Sequence, residues 1–228
     1  MRRNASFEEI SDGRLYGLND MVKVECDGCK GCSACCHGMG NTIVLDPYDI
    51  FRLTTGLNQT LEELLAASAI ELNVVDGIIL PNIKMAGGDE ACSFLNEAGR
   101  CSIHAIRPGI CRLFPLGRIY EDGGFRYFNQ IHECVKPNKT KVKVRKWIDT
   151  PDAISYERFI TKWHYFLKAL EEKVKQSQPE EGLAQSVSLY VLKTFYLLPY
   201  EKEKDFYGQF AARIRGAEEE LGLLEADS

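Results

Sequence analysis

Between Val24 and Gly40 the chain reads VECDGCKGCSACCHGMG, which places five cysteines, Cys26, Cys29, Cys32, Cys35 and Cys36, inside eleven positions. A zinc ion takes four ligands and a disulfide takes two, so a stretch this crowded in thiols calls for something larger. Three consecutive two-residue spacers bend a backbone around such a centre, and Gly28, Gly31 and the Gly38-Met39-Gly40 segment supply the freedom for that wrapping.

The order C-x2-C-x2-C-x2-C-C is close in its first three members to the ferredoxin run C-x2-C-x2-C-x3-C. A structural zinc site more often uses two separated C-x2-C knuckles. Cys35 and Cys36 are adjacent and point their side chains apart, so they serve different irons of a cluster, or one ligates while the other packs. All nine cysteines fall before Asp149, with Cys92, Cys101, Cys111 and Cys134 carried by CSFLNEAGRC, RPGICRLFPL and HEC. In a reducing compartment an odd count of this size reads as metal ligands or redox thiols, not as a disulfide framework. Four thiolates around Zn²⁺ or an oxidised [4Fe–4S] core leave a net charge near −2, which nearby cations stabilise. Arg107 and Arg112 flank Cys111 and are the candidates to contact the cofactor, while Arg100 adjoins Cys101.

These segments together resemble the YkgJ-type cysteine-cluster proteins, a zinc- or iron-chelating family with the pattern CxxCxxCC followed by C-x-F-L, G-x-C-x-I-Y, R-P and C-R-x-F-P. Here the pattern stands as CKGCSACC and CSFLNEAGRCSIHAIRPGICRLFPL, with the Asp-Ile pair of LDPYDIFRL between them, over about residues 24 to 136. The resemblance implies a metal-ligand pool of Cys29, Cys32, Cys35, Cys36, Cys92, Cys101, Cys111 and Cys134. Cys26 extends the usual pattern, and His104 stands where the family usually has Tyr. A more distant likeness, resting on the cysteines alone, is to flagellin lysine methylases, which act on protein lysines.

Eight candidate thiolates exceed a mononuclear site. They leave one [4Fe–4S] cluster with spare cysteines, two metal centres, or a zinc site with thiols left over, and ligand type separates none of these. Crowding in the first run favours the iron–sulfur cluster, with zinc as the alternative. The expected partition takes Cys29, Cys32 and Cys35 or Cys36 from the first run, completed downstream by Cys111, which Pro108-Gly109 lets approach closely. His37 and His132, beside cysteines, are the candidates for a Cys₃His zinc site. Overlapping CxxC pairs without a βαβ setting argue against thiol–disulfide exchange. A P-loop, HExxH, a dinucleotide fingerprint and the C-x3-C-x2-C spacing are absent, and no catalytic residue or reaction is assigned.

The expected fold is α+β. An irregular cysteine-rich part, 1–148, carries short antiparallel hairpins, and a C-terminal layer of three helices, 149–228, packs with it. Asp46-Pro47 opens a helix that Gly56 stops, and Thr60 with Glu63 forms a capping box. Asp76-Gly77 and Asp122 to Gly124 mark hairpins. Tyr156, Phe159, Ile160, Trp163, Phe166, Leu167, Leu170 and Val174 keep helical spacing after Thr150-Pro151, with His164 at the edge of that apolar face. Leu183 to Leu198 and Phe206 to Leu221 make two more helices. In KPNKTKVKVRKW, Lys141, Lys143 and Arg145 alternate with Val142, Val144 and Trp147, which reads as an edge strand guarded by lysines or a docking patch for an acidic partner or RNA. The formal charge of −5 argues against a nucleic-acid-coating or membrane-surface protein and leaves a protein partner open. The opening residues read as neither signal nor anchor, so the cytoplasm is the expected location.

Overall fold

The computed structural model describes residues 6–26, 32–177 and 182–223. Its first elements are α1 (Phe7–Ile10) and β1 (Met21–Glu25), followed by a single helical turn at Ala34–Cys36. α2 (Pro47–Leu57) begins as its sequence requires, with Asp46 and Asp49 forming a reciprocal capping box and Pro47 in the first turn. It does not stop at Gly56. Asn58 ends it in the left-handed conformation, φ 54°, and Gly56 lies inside the helix because a Cβ there would stand 2.6 Å from Ile106. α3 (Leu61–Ala66) carries the expected Thr60–Glu63 box.

β2 (Ile70–Val75) and β3 (Ile78–Ile83) pair in unbroken register across Asp76-Gly77, where both turn residues take positive φ. β4 (Met85–Ala86) and β5 (Ala91–Cys92) form a minimal ladder. α4 (Gly109–Leu113) precedes a cis Phe114–Pro115 bond and the hairpin of β6 (Leu116–Glu121) with β7 (Gly124–Asn129), turned at Asp122-Gly123. β8 (Thr140–Lys143) returns to pair with β1, closing a long-range sheet. The alternation expected to run on to Trp147 stops at Lys143. Val144–Ile148 is α5, which turns Val144, Trp147 and Ile148 together into the interior.

α6 (Ala153–Gln176), α7 (Leu183–Val191) and α8 (Phe206–Glu220) form the C-terminal layer, with a wider π-type turn over Leu192–Leu197 after α7. Asp152, not Thr150, caps α6. The protein is thus α+β, with four separate two-stranded antiparallel sheets among the described residues and a helical layer. None of the described helices is long and apolar enough to cross a membrane.

One apolar cluster takes residues from both sides of position 148, packing Tyr48 and Leu53 of α2 and Ile70 and Ile83 of the hairpin against Phe159 and Trp163 of α6 and Phe206 and Phe210 of α8. A smaller one under β1 and β8 holds Val22, Val24, Tyr127 and Val144, with the Trp147 Nε1–H donating to the Leu113 and Phe114 carbonyls at 3.2 Å each. The two clusters meet around α4. There the backbone passes so close to α6 that a Cβ on Gly109 would lie 2.1 Å from the Tyr156 hydroxyl.

Gly109→Ala should therefore destabilise the chain by about 1–3 kcal/mol through overpacking. Adding Tyr156→Phe, which removes the clashing oxygen, should recover part of that loss in a denaturant-unfolding cycle; strict additivity of the two changes would contradict this packing.

Candidate metal centre

Four short segments bring thiols to one cavity of about 780 Å³, whose wall includes Cys32, Cys35, Cys36, Cys92, Cys101 and Cys111. Each segment is held by local hydrogen bonds. The turn carrying Cys35 and Cys36 is closed by Cys36 N–H to the Ser33 carbonyl at 2.8 Å. CSFLNEAGRC is a miniature hairpin, in which Asn96 and Arg100 exchange bonds (Asn96 N–H to Arg100 O and Arg100 N–H to Asn96 Oδ1, each 2.9 Å) and Leu95 bridges to Cys101. Its ends thus carry Cys92 and Cys101 back toward each other.

Cys111 is placed from farther away. Asp49, buried in the first turn of α2, accepts the Gly109 N–H on Oδ1 at 2.7 Å, so α2 fixes the start of the helix that bears Cys111. Arg112, only 4% exposed, ties the surrounding loops together, donating from Nε to the Arg107 carbonyl (2.9 Å), from Nη2 to the Ala105 carbonyl (2.7 Å) and from Nη1 to the Asp149 carbonyl. Arg112 is therefore a loop staple and does not line the cavity, whereas Arg107 does and contacts His104 Nε2 at 3.0 Å. Of the two arginines expected at the cofactor, only Arg107 stands where its charge reaches the thiols.

The thiols feel one another. Hydrogen bonding from the Cys36 thiol pulls Cys35 down to about 7, while the same contact and burial push Cys36 up. Burial, with the neighbouring thiols adding to it, pushes Cys92, Cys101 and Cys111 up as well, and Arg107 opposes that rise at Cys101. All eight described cysteines are free thiols. As placed, no three His, Cys, Asp or Glu side chains among the described residues stand close enough to share one ion. Six thiols with a cation beside them nevertheless stand in this wall, a sulfur-rich supply of the kind that zinc or an iron–sulfur cluster accepts.

The other expected residues lie apart. Cys29 is outside the described residues. Cys134 is not in the cavity wall, and its carbonyl accepts Lys139 Nζ at 2.8 Å. Cys26 packs against the smaller apolar cluster. His37 faces Asp89 at 3.6 Å, and exposed His132 is not in the wall either. His164 does reach the cavity and stacks on Tyr120 with ring centroids 3.5 Å apart. Sequence reading missed Asp46, Asp49 and Arg118 in the wall. The signals for the carboxylates were the N-cap position of Asp46 and the Asp49-Ile50 pair within the family pattern.

The chain is α+β, and six of its described cysteines line one cavity from separate loops. The CxxCxxCC family, described as "Putative zinc- or iron-chelating domain", matches residues 28–149, more than half of the chain, and the protein belongs to that family. Membership supports metal binding in general without choosing between zinc and iron. Searches among curated proteins and among solved structures found no match.

Burial keeps Cys92, Cys101 and Cys111 protonated at neutral pH, so a metal that takes them as thiolates must displace their protons. Zinc or ferrous-iron affinity should rise as pH goes from 6 to 8, with protons released into the buffer; calorimetric titrations showing equal affinity at both ends would contradict it. Asp49, beside Asp46, is pushed up to about 6 by burial. The folded chain then holds this proton more tightly than the unfolded chain, so its contribution to stability falls as pH rises from about 4 to about 6, by up to about 3 kcal/mol. Asp49→Asn keeps an acceptor for Gly109 and should flatten that part of the stability–pH curve.

Proposed function

We propose that the chain holds an iron–sulfur cluster of the [4Fe–4S] type on thiolates drawn from Cys29, Cys32, Cys35, Cys36, Cys92, Cys101 and Cys111. The observation that supports this reading is the lining of one cavity by six described thiols, three of them from the crowded first run, a supply that suits a centre of several metal atoms. Arg107 supplies the compensating charge, and amide groups of the cysteine turn are the natural donors to cluster sulfur. When bound, the cluster supplies one-electron redox chemistry. The chain's own residues hold the sulfurs in register, exclude part of the solvent and keep most thiols protonated until metal arrives.

A reducing compartment, the cytoplasm, is the setting in which such thiols stay free. The role is that of a redox, metal-handling or cluster-dependent component. A zinc-holding interaction module is the competing identity, and metal analysis separates the two.

Anaerobically purified protein should contain roughly four irons and four acid-labile sulfides per chain and show a broad visible absorption band. Cys92→Ser and Cys111→Ser should lower iron and sulfide together, while Cys134→Ser, changed outside the cavity wall, should leave both intact. Colourless protein with stoichiometric zinc and no sulfide would replace the cluster with zinc.

A further inference from the structure

The cavity that begins at the thiols continues between β6 and α6, where its wall is formed by Val44, Ile119, Ile160, Trp163 and Leu167. At about 780 Å³ it falls among pockets that hold small organic molecules, roughly 300–1,000 Å³. The cysteines supply only part of its lining.

Of the cations in the wall, Arg100 and Arg107 neighbour the thiols and Lys168 is paired with Glu171, which leaves Arg118 beside the apolar stretch. Arg118 lies against the rings of Phe125 and Tyr156, 5.4 and 5.6 Å from their centroids, and donates from Nη2 to the Tyr156 hydroxyl at 3.2 Å. Its Nε is shut off from solvent and has no hydrogen-bond partner. Asp46 and Asp49 feel its charge, yet neither is in ion-pair contact with it among the described residues, and burial raises the pKa of both. A desolvated guanidinium with no carboxylate in direct contact is costly, and an anion bound against it in the cavity would lower that cost.

We propose that this cavity binds a monocarboxylate with an apolar body, its carboxylate on Arg118 and its hydrocarbon along β6 and α6. A planar guanidinium matches one carboxylate in fork geometry. A phosphate dianion would bring a second charge beside Asp46 and Asp49, and Lys168, the cation that α6 adds to the wall, is already paired with Glu171. The proposal goes beyond the metal centre and holds whichever metal the thiols carry.

Calorimetric titration of the metal-loaded chain with octanoate and with octanol, matched in chain length, tests it. Octanoate should bind at least roughly tenfold more tightly than octanol. Arg118→Met should reduce octanoate to the affinity of octanol without changing octanol binding or metal content. Leu167→Trp, which fills the apolar stretch and leaves Arg118 in place, should weaken both probes and gives a second test if Arg118→Met fails to fold. Equal affinity of the two probes for the parent chain, tighter binding of octyl phosphate than of octanoate, or no octanoate binding up to millimolar concentration would overturn the proposal. Metal content measured on the same samples separates failure of this site from failure of the metal centre.

Discussion

Thiolates crowded into a half-buried cavity repel one another, and there is little water to weaken that repulsion. Cys36 keeps its proton in favour of Cys35, and Cys92, Cys101 and Cys111 hold theirs because burial disfavours the charged form. Only a cationic centre turns such a set from repulsive to cohesive. The surrounding loops are suited to wait for it, since their shape comes from backbone hydrogen bonds and small turns more than from an apolar interior of their own.

The rest of the molecule supplies what those loops lack. α2 is anchored in the main apolar cluster and passes its position on through a single carboxylate, Asp49, to the amide of Gly109. Hydrogen bonds to charged groups contribute about 1.5–3 kcal/mol, enough to fix the entry of α4 and with it Cys111. Arg112 does a comparable task from inside the motif by binding the carbonyls of Ala105, Arg107 and Asp149. An arginine next to a cysteine thus proved to serve the backbone, while Arg107, five residues earlier, faces the sulfurs.

What the sequence disclosed was local. The N-cap at Asp46, the capping box at Thr60, the turns at Asp76-Gly77 and Asp122 to Gly124, and the apolar periodicity of α6 and α8 depend on neighbours within a few residues, and all are found as expected. Boundaries set by distant contacts were less legible. Gly56 is a glycine because Ile106 crosses there, not because a helix ends, and the valine–lysine alternation after Thr140 breaks at Lys143 because Val144 and Trp147 are drawn into the smaller cluster. At the site, the clustering of cysteines was readable from spacing and resemblance. Cys134 lying outside the wall, the buried Asp46–Asp49 pair and the guanidinium of Arg118 were not, since each depends on segments that meet only after folding.

The match to the family stops at residue 149, but the principal apolar cluster does not. Tyr48 packs against Phe159 of α6 and Phe206 of α8, and Ile50 and Leu53 belong to the same cluster, so the helices are the covering half of the sulfur-bearing unit. A fragment ended there would present a wide greasy surface to water, prone to self-association even with its inorganic centre intact. The region that defines kinship and the region that makes a self-sufficient folding body are therefore different lengths of the same polypeptide.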